Sequence, residues 1–285
     1  MKILVTHQTP DLDAVTSVWL LKRFHAQVYA DAKVVFVPAG QTISPEQMAE
    51  LGVQEEDVTP VDTGLGEFDH HQKERGQLRI CAASLVYDWL CEKHPELRSD
   101  WALQQIVDQA IDEDHFGSYF WPEPDHPRYV FRLSEILHGL EMTQLHDDTS
   151  QLQFAMHALD GVYAQLNDRQ KAQEEVKEGQ TFQTRWGKAL ACLTSNQGVL
   201  KVAQIQGFKV VVQKDPRTGH IRIKAAPLPE IDLTPAAELI MKKDAVGTWF
   251  FHASTRMLLN NSTKNTQHVP SPLSLEEVIE ILSSV

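Results

Sequence analysis

The stretch KILVTHQTPDLDA, residues 2–14, decides the fold. Ile3, Leu4 and Val5 are an apolar run of strand type, and Ala14 to Phe24 has the spacing of a helix. Pro10 keeps the turn between them out of helical geometry. His7, Asp11 and Asp13 therefore fan out from the carboxyl end of a strand, where open α/β sheets bind their ligands. Three hard or borderline metal ligands on one turn can converge on a point, although Asp11 or Asp13 can equally cap the helix.

A second cluster stands in VTPVDTGLGEFDHHQ, residues 58–72. Val58, Pro60 and Val61 predict a short strand ending at Asp62, and two glycines predict a tight loop leading to Asp69-His70-His71. Adjacent histidines can divide the work, one binding metal through a ring nitrogen and the other facing substrate as an acid or donor. Loop histidines at a surface are the plainer alternative for both.

Around these motifs the first 120 residues alternate strand and helix patterns. KVVFV reads as a strand, and SPEQMAELG as a helix capped by Ser44 with Pro45 in its first turn. Helices follow over Ala82 to Lys93 and Trp101 to Ile111, so the fold class expected is α/β, a mainly parallel sheet with flanking helices. SYFWPEPD, residues 118–125, reads as a loop. Apolar spacing is helical from Leu133 to about Lys188, and EEVKEGQTFQTRW within it reads as a charged connecting helix. His138, His146 and His157 fall in this region and receive no role.

The last third changes character. GVLKVAQI and GFKVVVQKDPRTGHIRIKAAP alternate apolar with polar residues, and DPRTG between two β-rich runs is a hairpin signal. The organisation expected is a metal-binding domain over 1–160, a connecting helix over 161–190, and a smaller α+β domain over 191–285. In that last domain WFFHASTRMLLNNSTKN gathers His252, Arg256, Asn260, Asn261 and Lys264, residue types that contact phosphate and bases. A strand with a solvated, ordinarily charged loop would carry the same residues.

The net charge of −13 is unevenly placed. Residues 1–160 hold 11 lysines and arginines against 27 aspartates and glutamates, a balance of −16, whereas residues 161–285 stand at +3. Two divalent cations would still leave the first part strongly acidic, so a phosphate-bearing substrate should be small, or be gripped mainly by the second part. Three cysteines without a C-x-x-C spacing argue against a disulfide framework and a structural zinc site. No apolar run reaches the roughly eighteen residues of a membrane span, and the N-terminus opens into a strand rather than a signal peptide, so a cytoplasmic location and no membrane partner are expected.

HQTPDLDA followed by FDHHQ resembles the first and third motifs of the DHH phosphoesterase superfamily, with Asp62 in the place of the second. VDTGLGEFDHHQ, CAASLVYDWL and GTWFFHASTRMLLNN look most like the melanocyte proliferating gene family within it. The fourth motif falls in IVDQAIDEDHFG, where Asp114 is favoured and Asp112 is its rival. The superfamily's GGGH segment is absent. The resemblance implies a two-metal phosphoester hydrolase with His7, Asp11, Asp13, Asp62, His70 and Asp114 as ligands, and Asp62 as the bridge. It further implies that Asp69 orients His70, that His71 stands near the substrate, and that His252, Arg256, Asn261 and Lys264 hold the substrate across a cleft. The cofactors implied are two divalent cations, manganese first and magnesium as an alternative. Three activities stay open: a phosphodiesterase or 3′–5′ exonuclease on nucleotides or short oligonucleotides, a pyrophosphatase or small-molecule phosphatase, and a metal-binding protein without turnover.

Overall fold

A computed structural model describes residues 1–143, 147–260 and 268–285. The chain divides into two compact units, 1–165 and 166–285.

The first unit is built on three parallel strands, β1 (Ile3–His7), β2 (Lys33–Val37) and β3 (Val58–Pro60), in the order β2-β1-β3. Helix α1 (Leu12–Phe24) and the one-turn α2 (Ala26–Tyr29) connect β1 to β2, and α3 (Pro45–Leu51) connects β2 to β3. Helices α4 (Ala82–Lys93), α5 (Trp101–Asp114), α6 (Leu133–Glu141) and the first half of α7 (Asp148–Glu178) complete the unit. Because successive side chains of a strand face opposite ways, Ile3 and Val5 join Val37, Ile43 and Val53 in the core on one side of the sheet. Every residue of α1 from Leu12 to Leu21 is buried, including Asp13, Thr16 and Ser17. A helix covered all round is a central one, and α1 packs on β1, α4, α5 and α6. Ser44 caps α3 in a full capping box with Gln47, and Pro45 sits at its start.

The second unit carries a six-stranded mixed sheet in the order β4-β5-β6-β7-β9-β8. Its strands are β4 (Gln180–Thr184), β5 (Gly187–Leu193), β6 (Val210–Lys214), β7 (Ile221–Ala225), β8 (Phe250–Phe251) and β9 (Met257–Leu259). Only β5 and β6 run parallel. Helices α8 (Gly198–Ile205), α9 (Thr234–Lys243) and α10 (Leu275–Ser284) complete the unit. The fold is thus α/β with a parallel sheet, followed by a smaller α+β unit. Among the described residues no helix is long and apolar enough to cross a membrane.

Two elements differ from the sequence expectation. The connecting helix stops at Glu178, and the expected helical TFQT is strand β4, paired antiparallel with β5. Gly179 makes that stop possible: a Cβ there would lie 2.8 Å from Cys192 Sγ and 2.8 Å from Leu190 Cδ1. GVLKVAQI is helix α8 and not a strand, because Val199, Leu200, Val202 and Ala203 bury one helical face, a spacing that β-like alternation does not produce. The DPRTG hairpin is present between β6 and β7, with Gly219 at φ 75°.

Gly179→Ala is expected to lower the stability of the second unit by about 1–3 kcal/mol, the usual range for overpacking. Urea unfolding followed by the signal of that unit measures it, and an unchanged midpoint would contradict the packing described.

Candidate metal centre

β1 and β3 pair in parallel with Val5 opposite Pro60, so His7 and Asp62, each two residues further on, emerge side by side. The chain leaves β1 toward β2 and returns to β3 on the other side, which makes the carboxyl ends of β1 and β3 the switch point of the sheet. Asp62 holds a left-handed backbone, φ 53°, fixed by its N–H donating to Phe68 O at 2.8 Å. A non-glycine residue there costs of order 1 kcal/mol, and such strain gathers at functional sites.

Three overlapping groups of ligand atoms form at this point: His7, Asp11 and Asp62; Asp13, His70 and Asp114; and Asp62, His70 and His71. Within each group the ligand atoms lie within 4.8 Å of one another. His7 Nε2 is 3.3 Å from Asp62 Oδ2 and 3.9 Å from Asp11 Oδ1, while His7 Nδ1 donates to Gln8 O at 2.8 Å. That bond points Nε2 inward. Asp11 also caps α1, accepting from Ala14 N at 3.0 Å, so capping and metal binding are compatible in one carboxylate.

His70 Nε2 lies 3.7 Å from Asp13 Oδ2, 3.6 Å from Asp62 Oδ1 and 3.6 Å from Asp114 Oδ1. All three distances exceed a hydrogen bond, and both His70 Nε2 and Asp62 Oδ1 are buried without a partner. Buried polar atoms are nearly always paired, and a cation between these two orphans would satisfy both. Four carboxylates, Asp11, Asp13, Asp62 and Asp114, converge here. Asp13 is fixed from behind by Ala82 N and Ala83 N, each donating to one of its oxygens at 2.7 Å, at the N-terminus of α4. Sequence reasoning missed these two amides; the small residues Ala82 and Ala83, which allow the close approach, were the available signal.

Burial and the charge of the neighbouring Asp13 push the Cys81 thiol well up.

The rival fourth-motif residues separate clearly. Asp112 accepts from Trp121 Nε1 at 3.0 Å and pairs with Arg79 at 3.2 Å, and Glu113 binds Ser134 Oγ at 3.0 Å and Arg132. Asp114 alone turns toward His70. The expected link from Asp69 to His70 is corrected by the structure. Asp69 Oδ1 accepts from both His71 N at 3.0 Å and His71 Nδ1 at 2.8 Å, and Oδ2 accepts from Leu65 N at 2.7 Å. The tight loop with Gly64 and Leu65 at positive φ folds back on Asp69 and leaves it in reach of the second histidine instead.

The second unit holds the other expected residues. His252 Nδ1 accepts from Ser254 N at 3.1 Å, Arg256 donates to Leu228 O at 3.0 Å and Ser254 O at 3.1 Å, and Asn260 is fully buried against Thr248, Val269 and Ser271. Arg256 and Asn260 therefore brace the β8–β9 hairpin. Asn261 and Lys264 lie outside the described residues, as does His146.

No family model matches the chain, and no curated protein matches it. Among solved structures, a DHH domain described as a member of the s1p family of ribosomal proteins aligns over 99% of this chain and 86% of its own, with TM-score 0.33 and 11% identity. Exonuclease RecJ bound to manganese aligns over 99% and 89%, with TM-score 0.33 and 12% identity. RecJ from Thermus thermophilus in complex with Mg2+ aligns over 99% and 49%, with TM-score 0.34 and 13% identity. The functional assignment rests on the site's own residues.

Burial opposes a charged His7, yet the hydrogen bond with Asp62 and the charge of Asp11 outweigh it and push His7 up to about 9. The approach of Asp62, against burial, likewise pushes His70 up to about 9. Burial would raise Asp62, but the two histidines hold it down to about 2. Burial and the charge of Asp62 push Asp13 up. Raised histidine values stabilise the metal-free fold below the unfolded value of about 6.5, and that contribution is lost as pH rises through about 9. A divalent ion must displace the protons of His7 and His70, so its binding gains what the protonated form loses. The increase in melting temperature caused by excess manganese should therefore grow from pH 6 to pH 9, with proton release on titration; a pH-independent increase would contradict these ligands.

Proposed function

We propose that the chain is a divalent-metal-dependent phosphoester hydrolase of the DHH type, acting on small phosphate-bearing substrates such as nucleotides or short oligonucleotides. The observation that carries the proposal is Asp62, one strained and buried carboxylate shared by two ligand groups, with Oδ1 and His70 Nε2 left unpaired beside it. The spacing of His7, Asp11 and Asp13 and the Asp69-His70-His71 triplet support the same superfamily.

His7 and Asp11 would hold one ion and Asp13, His70 and Asp114 a second, with Asp62 within reach of both groups. Mixed imidazole and carboxylate donors suit manganese, or magnesium. Bound there, a pair of such ions supplies Lewis-acid polarisation of a phosphoryl oxygen and an attacking water of lowered pKa. The chain's own groups do the rest. The α4 amides hold the Asp13 carboxylate in position, and Gln8 O keeps the His7 ring turned inward. Asp69 accepts the Nδ1 proton of His71 and fixes its tautomer, so Nε2 of this side chain, 60% exposed, is the group that moves a proton at the leaving oxygen. Asp69 acts through His71 and is itself buried.

Purified protein supplied with manganese should hydrolyse at least one of pyrophosphate, a bis-p-nitrophenyl ester, a cyclic dinucleotide, short RNA or short DNA, and a chelator should stop it. His70→Ala should reduce this turnover by at least about 100-fold with the fold retained. His71→Asn should reduce it by about 10²–10⁴-fold, the usual contribution of an acid or base. Unchanged turnover in His70→Ala would remove the site, and manganese binding with no turnover on any substrate would leave a metal-binding protein. Asp13→Asn is a poorer probe, because it turns an N–H toward a backbone N–H and costs stability as well.

A further inference from the structure

The loop that leads to the histidine pair is held at four successive carbonyls. Gly66 O accepts from Gln72 Nε2 at 2.9 Å, Glu67 O from Arg75 Nη1 at 3.0 Å, Phe68 O from Asp62 N at 2.8 Å, and Asp69 O from Arg75 Nη1 at 2.5 Å. In extended backbone, carbonyls two residues apart point the same way, so Glu67 and Asp69 offer theirs to one side and Phe68 offers its own to the other. Phe68 forms a parallel bridge with Val61, just after β3. The inner edge of the segment is thus met by main chain, and the outer edge by one side chain. A single guanidinium nitrogen supplies both outer bonds, one hydrogen to each carbonyl, where a further strand would place its N–H groups.

Resting on the phosphohydrolase reading above, we propose that Arg75 is a positioning residue of the metal centre: by holding Glu67 O and Asp69 O it sets where His70 stands against Asp13, Asp62 and Asp114, and where His71 stands against Asp69. The Asp69 carbonyl belongs to the planar peptide that ends at His70, so fixing it fixes the direction in which the His70 side chain leaves the main chain. The surroundings favour this use of the charge. Residues 1–160 hold 27 aspartates and glutamates, yet among the described residues no carboxylate lies within 4.0 Å of the Arg75 guanidinium. Its neighbours Lys73 and Glu74 are exposed, whereas Arg75 is half-buried. The side chain also starts from a fixed base: Arg75 N and Gly76 N donate to Gln72 O at 2.9 and 3.1 Å, and Leu78 N donates to Arg75 O at 2.8 Å. Hydrogen bonds from a charged donor are roughly twice as strong as neutral ones, and the planar guanidinium fixes their direction as a lysine's point charge does not.

The test titrates the full chain with manganese, following the free ion by electron paramagnetic resonance, and measures kcat and KM on the phosphoester that wild type hydrolyses. Arg75→Ala should bind manganese about 10–100-fold more weakly, the usual loss when a group behind a ligand is removed. Its kcat should fall by a similar factor with KM within about twofold, because Arg75 acts through the loop and not on the substrate. Added methylguanidinium should recover part of both losses in Arg75→Ala and leave wild type unchanged; a loss that it leaves untouched marks a packing role and overturns the proposal. Wild-type affinity and kcat in Arg75→Ala overturn it too, as does a raised KM at unchanged kcat, which would make Arg75 a substrate contact. Should Arg75→Ala fail to fold, Arg75→Lys decides: it keeps the charge without the planar fork and should bind manganese at least about threefold more weakly, and wild-type affinity there overturns the role. Weakened and recoverable manganese binding in a chain that hydrolyses none of the phosphoesters leaves Arg75 in its role and removes the hydrolase. No manganese binding by wild type removes both.

Discussion

The Asp13 carboxylate is the point on which the first unit turns. It is buried, it accepts the first two amides of α4, and its Oδ2 faces His70. Burying an isolated carboxylate costs several kcal/mol, which only hydrogen bonds and opposite charge can offset. The two amides, with the positive end of the α4 dipole behind them, supply part of this. Burial and the neighbouring carboxylates Asp62 and Asp11 work against the charge, so a cation held beside Asp13 would offset what the amides leave. Removing the carboxylate would loosen α4 from α1, and α1 from its place at the centre of the unit. Fold and site therefore share one group.

The sheet supplies the second constraint. With only three strands, its contribution to the site is register: β1 beside β3, in parallel, so that His7 and Asp62 leave the sheet together. A one-residue slip of β3 would turn Asp62 to the opposite face. The left-handed backbone at Asp62 brings the chain back toward Phe68, and from there to the histidine pair. The loop between carries Gly64 and Leu65 at positive φ, and its tightness decides which histidine Asp69 can reach.

Much of the first unit was legible because its signals are local. The apolar run of β1, the Asp11 cap, the Ser44 capping box and the Asp-His-His triplet each lie within a few residues, where propensity and hydrogen bonding act directly. What stayed hidden depended on contacts distant in sequence. Strand β4 follows a 31-residue helix with no proline to announce the stop, and only the approach of Cys192 and Leu190 to Gly179 explains it. Helix α8 spans only eight residues, too few for its two buried apolar pairs to show a helical repeat. The Asp13 anchor joins positions about seventy residues apart, and the partner of Asp69 follows from loop curvature that spacing does not encode.

The end of α5 shows how such hidden contacts sort residues that look alike. Asp112, Glu113 and Asp114 follow one another at a helix C-terminus, where each negative charge is disfavoured by the dipole and by its neighbours. In a helix, successive residues point about 100° apart, so three in a row cannot share one function. Asp112 and Glu113 face the aromatic segment, where Arg79, Trp121, Arg132 and Ser134 bind them. Asp114 faces His70 and has a histidine, not an arginine, opposite it. A fixed guanidinium would neutralise Asp114 permanently, whereas an imidazole could give up its proton to make room for a cation. The two preceding carboxylates need no such exchange, and their arginine and tryptophan partners are suited to holding the loop in one place.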